Sequence, residues 1–188
     1  HCYQYDIRLR NYEYDLATSE FTEEEVRNLK VSDFQFEFVA KENKILCSEI
    51  RQFIERHEWL GKMPTRPTHR FIATYKGKLA GAVIMATPNS FSNLLGPENK
   101  HLEKLISRGA CISWSPKNLA SALIMYSVRW MVKNTPFRYF TAYSDIEARE
   151  LGTIYQACNF TYLGQNAGGR IEYFDPSVPD RGWFSDRL

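Results

Sequence analysis

Asp145 and Tyr155 are the two side chains best suited to move protons. Asp145 closes an apolar, strand-like run from Phe137 to Tyr143, just after Ser144, and Tyr155 stands on a short helical segment from about Glu150 to Cys158. A strand that ends in small and acidic residues and feeds a helix opens a crevice where side chains can meet a ligand. An aspartate at that corner can take a proton from an amine nucleophile or hydrogen-bond a base. As a plain βαβ unit, with a second strand at 161–163, the same segment would only bury Tyr155 as a core aromatic.

Three other groups could complete a site. The turn Ser113-Trp114-Ser115-Pro116-Lys117-Asn118 opens a long helix, and a helix start offers unpaired N–H groups and a positive dipole end to a pyrophosphate. Ser115, Asn118 and Ser121 add polar groups there and Lys117 adds charge; otherwise the turn is a plain capped helix. Arg108 lies inside the strand-like run Leu105–Ile112, where an arginine either faces water at an edge or is paired and orients a ligand. His57 opens the run His57-Glu58-Trp59-Leu60-Gly61, followed by Lys62, Arg66, His69 and Arg70. The histidine can act as a general base or hold substrate, and the basic loop suits phosphates unless it is only solvated.

Composition narrows the class. The 188 residues are 44% hydrophobic and 24% charged, as in a soluble globular protein, and one domain is expected. A net charge of +2 neither requires nor excludes a nucleic-acid partner, since binding needs a local basic patch. Cys2, Cys47, Cys111 and Cys158 are too scattered for a zinc knuckle or redox motif and suggest a reduced, intracellular protein, and no ligand cluster forces a metal. No apolar run or signal pattern implies a membrane span or secretion. His1 at the start and the stop after Arg187-Leu188 are compatible with a longer natural chain.

The elements that must position these groups follow from periodicity. Residues 2–10 alternate, with Tyr3, Tyr5, Ile7 and Leu9 on one face, and predict a strand; residues 15–20 predict a loop. Thr22 before three glutamates predicts a short helix to about Leu29, and Phe34, Phe36 and Phe38 predict a strand. Leu46, Ile50, Phe53, Ile54 and Leu60, with Ile45 at the edge and His57 alongside, predict a helix over 45–60 ended by Gly61. A loop over 61–69, a hairpin of 70–75 with 79–86, a loop over 87–101 and a strand over 102–112 come next. The longest helix, 119 to about 133, is expected to bury Leu123, Met125, Tyr126, Val128, Trp130 and Met131. A turn over 165–170, a strand over 171–174 and an irregular tail over 175–188 close the chain, residues 1–33 being an N-terminal extension.

The order helix, hairpin, strand, long helix, strand, helix, strand resembles the GNAT acyltransferase fold. The expected class is therefore α+β (α/β), a GNAT-like mixed central sheet with splayed strands and flanking helices. In that fold the gap between two splayed strands admits the pantetheine arm of an acyl-CoA. The usual GNAT turn has glycine; here Ser115 to Ala120 has none. The motifs also resemble the phage Mom family of DNA-modification proteins, a divergent GNAT branch. The matching residues are His57-Glu58-Trp59-Leu60-Gly61-Lys62 (one residue longer than the family run), Arg108, Pro116-Lys117-Asn118 with Ser121, Ser144-Asp145, Gly152-Thr153-Ile154-Tyr155, Phe160 and Gly164. The resemblance covers about residues 50–165, and its last part is the specific one.

The resemblance implies modification of adenine at N6 in double-stranded DNA, against host restriction, with acetyl-CoA or another acyl-CoA as cofactor. It implies proton work for Tyr155 and Asp145, Tyr155 protonating the departing thiolate, a substrate-side position for His57 and an ordering role for Arg108. Ile112, Ser113, Lys117, Asn118, Ala120 and Ser121 would face the cofactor, and Lys62, Arg66 and Arg70 the substrate. The setting would be the bacterial host cytoplasm, with no membrane; a homodimer is compatible. Two other readings stand beside it: an ordinary GNAT N-acetyltransferase acting on a small-molecule or protein amine, and a non-catalytic GNAT-shaped module that binds nucleic acid or a partner.

Overall fold

The computed structural model describes residues 2–88, 96–165, 173–179 and 183–184. The chain opens with a helix, α1 (Tyr3–Ser19), where the alternation predicts a strand and then a loop. The reason is that burial does not follow the apolar residues. Tyr3, Tyr5 and Leu9 are exposed, whereas Asn11, Asp15 and Ser19, spaced by four, are buried. A polar stripe held by hydrogen bonds packs this helix, so hydrophobic periodicity misreads it. Next comes α2 (Glu23–Arg27), its three glutamates at the positive end of the dipole and the Thr22 hydroxyl accepting from the Glu25 amide at 3.1 Å.

β1 (Gln35–Val39) and α3 (Lys44–His57) follow, the latter capped by Asn43. α3 buries Ile50, Phe53, Ile54 and His57, but it stops at His57, short of the predicted Gly61; Ile45 and Leu60 are exposed. β2 (Pro67–Tyr75) and β3 (Lys78–Ala86) form a hairpin in which Tyr75 pairs with Lys78, leaving the two-residue turn Lys76-Gly77 with positive φ at both positions. Pro97–Leu102 is a 3₁₀ turn inside the predicted long loop. β4 (Glu103–Cys111) leads through the turn at 112–118 into α4 (Leu119–Asn134), then β5 (Tyr139–Ala142) and α5 (Thr153–Ala157). α4 buries Leu119, Leu123, Ile124, Ser127 and Met131; the expected Met125, Tyr126, Val128 and Trp130 are only partly buried against the same cluster.

The five strands form one sheet in the order β1-β2-β3-β4-β5, antiparallel except for the parallel pair β4–β5. Its two faces carry separate cores. Phe71, Val83, Met85 and Ile106 pack against α4, and Ile72, Ala82, Ile84 and Ala110 pack against α3. Phe36 and Phe38 extend the α4 side, Phe38 stacking on Trp130 at 4.1 Å. No helix among the described residues is long and apolar enough to cross a membrane.

The end of the chain departs from expectation. Residues 161–163 form no strand, and Tyr162 and Leu163 are exposed, so that apolar pair is not packed against the sheet. β6 (Tyr173–Phe174) pairs with β7 (Trp183–Phe184), which places a short strand in the tail read as irregular. The predicted turn at 165–170 lies outside the described residues beyond Gln165.

Candidate active site

The site begins where β4 and β5 part. They pair only from Glu103 and Tyr139 to Ile106 and Ala142. Beyond that point β4 continues with β3 alone, and the register slips between Ile84 and Met85, leaving Ser107 as the extra residue. The result is the splayed pair that the resemblance to the GNAT fold implies. Gly109 is exposed although it sits in the middle of β4, because no strand covers its other edge. Arg108 is paired rather than free: its Nε donates to the Lys62 carbonyl at 2.9 Å and Nη1 to the Ser107 carbonyl at 2.6 Å. Arg70 on β2 and Arg108 on β4 both pair with Ile84, so two arginines flank one isoleucine across the sheet. Lys62 and Arg66 are exposed on the loop before β2.

The end of α3 faces this gap. Gly61 takes φ of +58° and its amide closes a turn onto the Glu58 carbonyl at 3.0 Å, a conformation that favours glycine. The turn holds the Glu58 side chain inward, where the residue is 7% exposed. One carboxylate oxygen accepts from the Leu60 amide at 2.9 Å and lies 4.0 Å from Arg108 Nε. Burial pushes the Glu58 carboxyl up to about 7 against the pull of Arg108 and the Leu60 and Gly61 amides, and the Glu150 charge adds to the rise.

Tyr155 comes from the opposite wall. Gly152, with φ of +65°, caps α5 and packs so close to Ser144 that a Cβ would lie 3.0 Å from its hydroxyl. Burial drives the Tyr155 hydroxyl up to about 12, the charges of Glu150 and Glu58 add to the rise, and Arg108 opposes it. Tyr155, Glu150, Glu58 and Arg108 therefore share one electrostatic neighbourhood. Asp145 serves the loop. Its Oδ1 accepts from the Glu147 amide at 2.9 Å, and its own amide donates to Glu150 Oε2 at 3.1 Å.

His57 points elsewhere. Its Nδ1 faces the Phe53 carbonyl at 3.0 Å and its Nε2 faces the Asp15 carboxylate at 3.1 and 3.2 Å. Both ring nitrogens are thus engaged within the protein, against the Phe53 carbonyl and the Asp15 carboxylate, and neither is left for a substrate. Asp15 is 2% exposed and ties three elements together. It also accepts from the Ser113 amide at 3.2 Å, its carbonyl accepts from the Trp114 indole at 3.3 Å, and Arg56 lies 3.7 Å away. Burial would raise the Asp15 carboxyl, but hydrogen bonds from His57 and Ser113 and the His57 charge outweigh it and hold it below the usual carboxylate range.

The turn from β4 to α4 bounds a cavity of about 300 Å³ lined by Arg8, Arg27, Ser113, Ser115 and Lys117, among others. Arg8 Nε donates to the Ser113 carbonyl at 2.8 Å and Nη2 to the Ser115 carbonyl at 2.5 Å. Ile112 donates its amide to the Ala80 carbonyl at 2.8 Å. Lys117 and Asn118 are exposed, Ala120 lies in the first turn of α4, and the Ser121 hydroxyl donates to the Asn118 carbonyl at 3.1 Å.

The structure thus gathers Arg108 and Tyr155 at the gap, sets Arg70 in a row with Arg108, and separates His57 and Asp145 from them. Sequence reading passed over Glu58, Glu150, Asp15 and Arg8. Glu58 carried one signal: it is the acid in the run that is one residue longer than expected. Asp15 and Arg8 carried none, since the alternation puts Arg8 in a strand and Asp15 in a loop rather than on one helix.

Similar folds occur among acetyltransferases. An aminoglycoside acetyltransferase from an uncultured soil metagenomic sample, in complex with sisomicin, superposes with a TM-score of 0.53 at 13% identity, covering 77% of this chain and 97% of that one. The aminoglycoside N-acetyltransferase AAC(6')-Iy in complex with CoA gives 0.53 at 14% identity, covering 73% and 94%. A transcriptional regulator from Bacillus halodurans C-125 gives 0.50 at 8% identity, covering 73% and 99%, so the likeness establishes fold alone. No curated protein matches the chain. The model of the Mom protein family matches residues 40–173, the span that runs from the end of β1 through α5 and holds Glu58, Arg108 and Tyr155. With its GNAT-like mixed sheet and splayed strands, this chain belongs to the Mom protein family.

Proposed function

We propose that this protein is an acyl-CoA-dependent transferase that modifies the N6 amine of adenine in double-stranded DNA, an anti-restriction modification of phage DNA made in the host cytoplasm. The observation that carries this reading is the shared neighbourhood of Glu58, Arg108 and Tyr155 at the parting of β4 and β5, in a chain of the Mom family. Its residues fit an acyl-CoA. β4 and β5 part beyond Ile106 and Ala142, and in the turn after β4 the Ser115 hydroxyl is buried without a hydrogen-bond partner among the described residues. Ile112 and Ala120 would line the arm, and Ser113, Lys117, Asn118 and Ser121 the phosphate end.

Acyl-CoA supplies an activated thioester, whose C–S bond breaks as a C–N bond forms to the amine. The Glu58 carboxylate takes the proton that the amine loses. Its position near neutrality suits that task. The Tyr155 hydroxyl, held protonated, gives a proton to the leaving sulfur. Arg108 steadies Glu58 and the Lys62 carbonyl, and Asp145 shapes the loop that carries Glu150 toward Tyr155. Adenine in a duplex must leave the stack to reach such a site. Lys62, Arg66 and Arg70 would hold the phosphates around it.

The cofactor half is tested by thermal denaturation. Acetyl-CoA at about a hundredfold excess over its Kd should raise the midpoint by roughly 5–10 °C. No shift with acetyl-CoA or other acyl-CoA thioesters would favour a non-catalytic binding module.

A further inference from the structure

The turn at the start of α4 commits several of its donors within the protein. It has no glycine between Ser115 and Ala120, and Pro116 has no N–H. The Ser113 amide already donates to Asp15, the Ser115 amide to the Ile112 carbonyl at 3.1 Å and the Leu119 amide to the Pro116 carbonyl at 3.1 Å. The remaining amides at the helix start carry no full charge, so a polyanion bound there still calls for cations. Resting on the acyl-CoA reading above, we propose that Arg8 of α1 and Arg27 of α2 grip the cofactor phosphates together with Lys117. Both arginines lie outside the span matched to the family, residues 40–173.

Four observations converge on this. Arg8, Arg27 and Lys117 line one cavity of about 300 Å³ with Ser113 and Ser115. The Ser115 hydroxyl is 4% exposed and has no hydrogen-bond partner among the described residues; the Ser113 hydroxyl sits beside the Asp15 carboxylate, short of hydrogen-bond geometry. A buried hydroxyl left unpaired at a cationic cavity is a donor awaiting an acceptor. Arg8 is pinned by two carbonyls through Nε and Nη2, so its guanidinium is held in place with donors to spare. Among the described residues Arg27 pairs with Glu23 alone, on the surface at 2.6 Å, and such a pair is too weak to keep it from a phosphate. The α4 dipole adds a positive end to the same place.

The N-terminal helices therefore do for this chain what a glycine-rich turn does for a backbone nest. Asp15 makes this possible by locking α1 to α3 and to the turn.

Isothermal titration of the full chain with CoA, dephospho-CoA and pantetheine tests the assignment. Arg27→Ala and Arg8→Ala should each weaken CoA about 5- to 30-fold and leave pantetheine, which lacks the phosphates, unchanged. Arg27 is exposed, so its variant keeps the fold even if Arg8→Ala does not. A loss confined to CoA assigns the arginines to the 3′-phosphate; a loss shared with dephospho-CoA assigns them to the pyrophosphate, and either supports the proposal. CoA binding unchanged in both variants, or an equal loss of pantetheine, overturns it while leaving the acyl-CoA reading in place. No CoA binding by the unaltered chain overturns both.

Discussion

Glu58→Gln is expected to lower acyl transfer by about 10²- to 10⁴-fold while leaving acyl-CoA binding intact. The substitution keeps the size of the side chain and an oxygen for the Leu60 amide, and removes only the capacity to take a proton. In the unaltered protein the rate should climb as pH rises through about 7, where Glu58 loses its proton, and then level off. Tyr155 imposes no falling limb until far higher pH, since its hydroxyl is driven up to about 12. The same variant should be more stable. A carboxyl raised on folding contributes stability below its unfolded value, near 4.5, and loses it as pH climbs through about 7. Above that pH the protein carries a buried charge that glutamine would relieve, so the midpoint should rise by roughly 2–6 °C at pH 8 and change little at pH 5. Transfer rates and melting curves over pH 5–9 would read both effects. A variant that is active, or that is destabilised at pH 8, removes Glu58 from the role of base.

Asp15→Ala should cost about 3–5 kcal/mol, the penalty for breaking a buried ionic contact and leaving its partners stranded. His57 Nε2 and the Ser113 amide would lose their acceptor inside the protein, and Arg56 would lose the carboxylate 3.7 Å away. A fall in melting midpoint of roughly 6–15 °C follows for a chain of this size. The sign of its pH dependence is opposite to that of Glu58. The Asp15 carboxyl is held below its unfolded value, so its contribution is present above about pH 4 and fades as pH falls further. The unaltered protein should therefore lose its advantage over the variant on acidification below that point. A variant that melts within about 2 °C of the unaltered chain would mean that Asp15 does not clamp α1.

The sheet and its two helices were legible because their burial follows apolar periodicity. The alternation of Phe36 and Phe38, with Phe34 just before the strand, and the stripe of Ile50, Phe53 and Ile54 translate directly into β1 and α3. The gap between β4 and β5 was legible only through the resemblance to the GNAT fold, whose two central strands splay; a strand, a helix and a parallel strand do not by themselves make neighbours diverge. α1 was not legible. Its buried face is Asn11, Asp15 and Ser19, and polar residues that pack through hydrogen bonds leave no hydrophobic signal. The short strand expected at 161–163 failed for the opposite reason, an apolar pattern whose Tyr162 and Leu163 stay exposed. In the candidate site, the sequence names Arg108 and Tyr155, which the structure brings to one neighbourhood with Glu58. Glu58 was hidden by its neighbour, because a histidine beside a glutamate draws attention first. Only the turn at Gly61 decides which of the two side chains faces the gap. Asp145 and Tyr155 share a corner of the loop, but the aspartate's hydrogen bonds run to that loop's own amides.

Mass spectrometry of nucleosides from the DNA of cells expressing the full chain tests the central claim most directly. The account predicts a deoxyadenosine enlarged by an acyl group at N6, absent when Tyr155→Phe replaces the unaltered protein at equal expression. Unmodified deoxyadenosine in cells that hold folded, unaltered protein would contradict it.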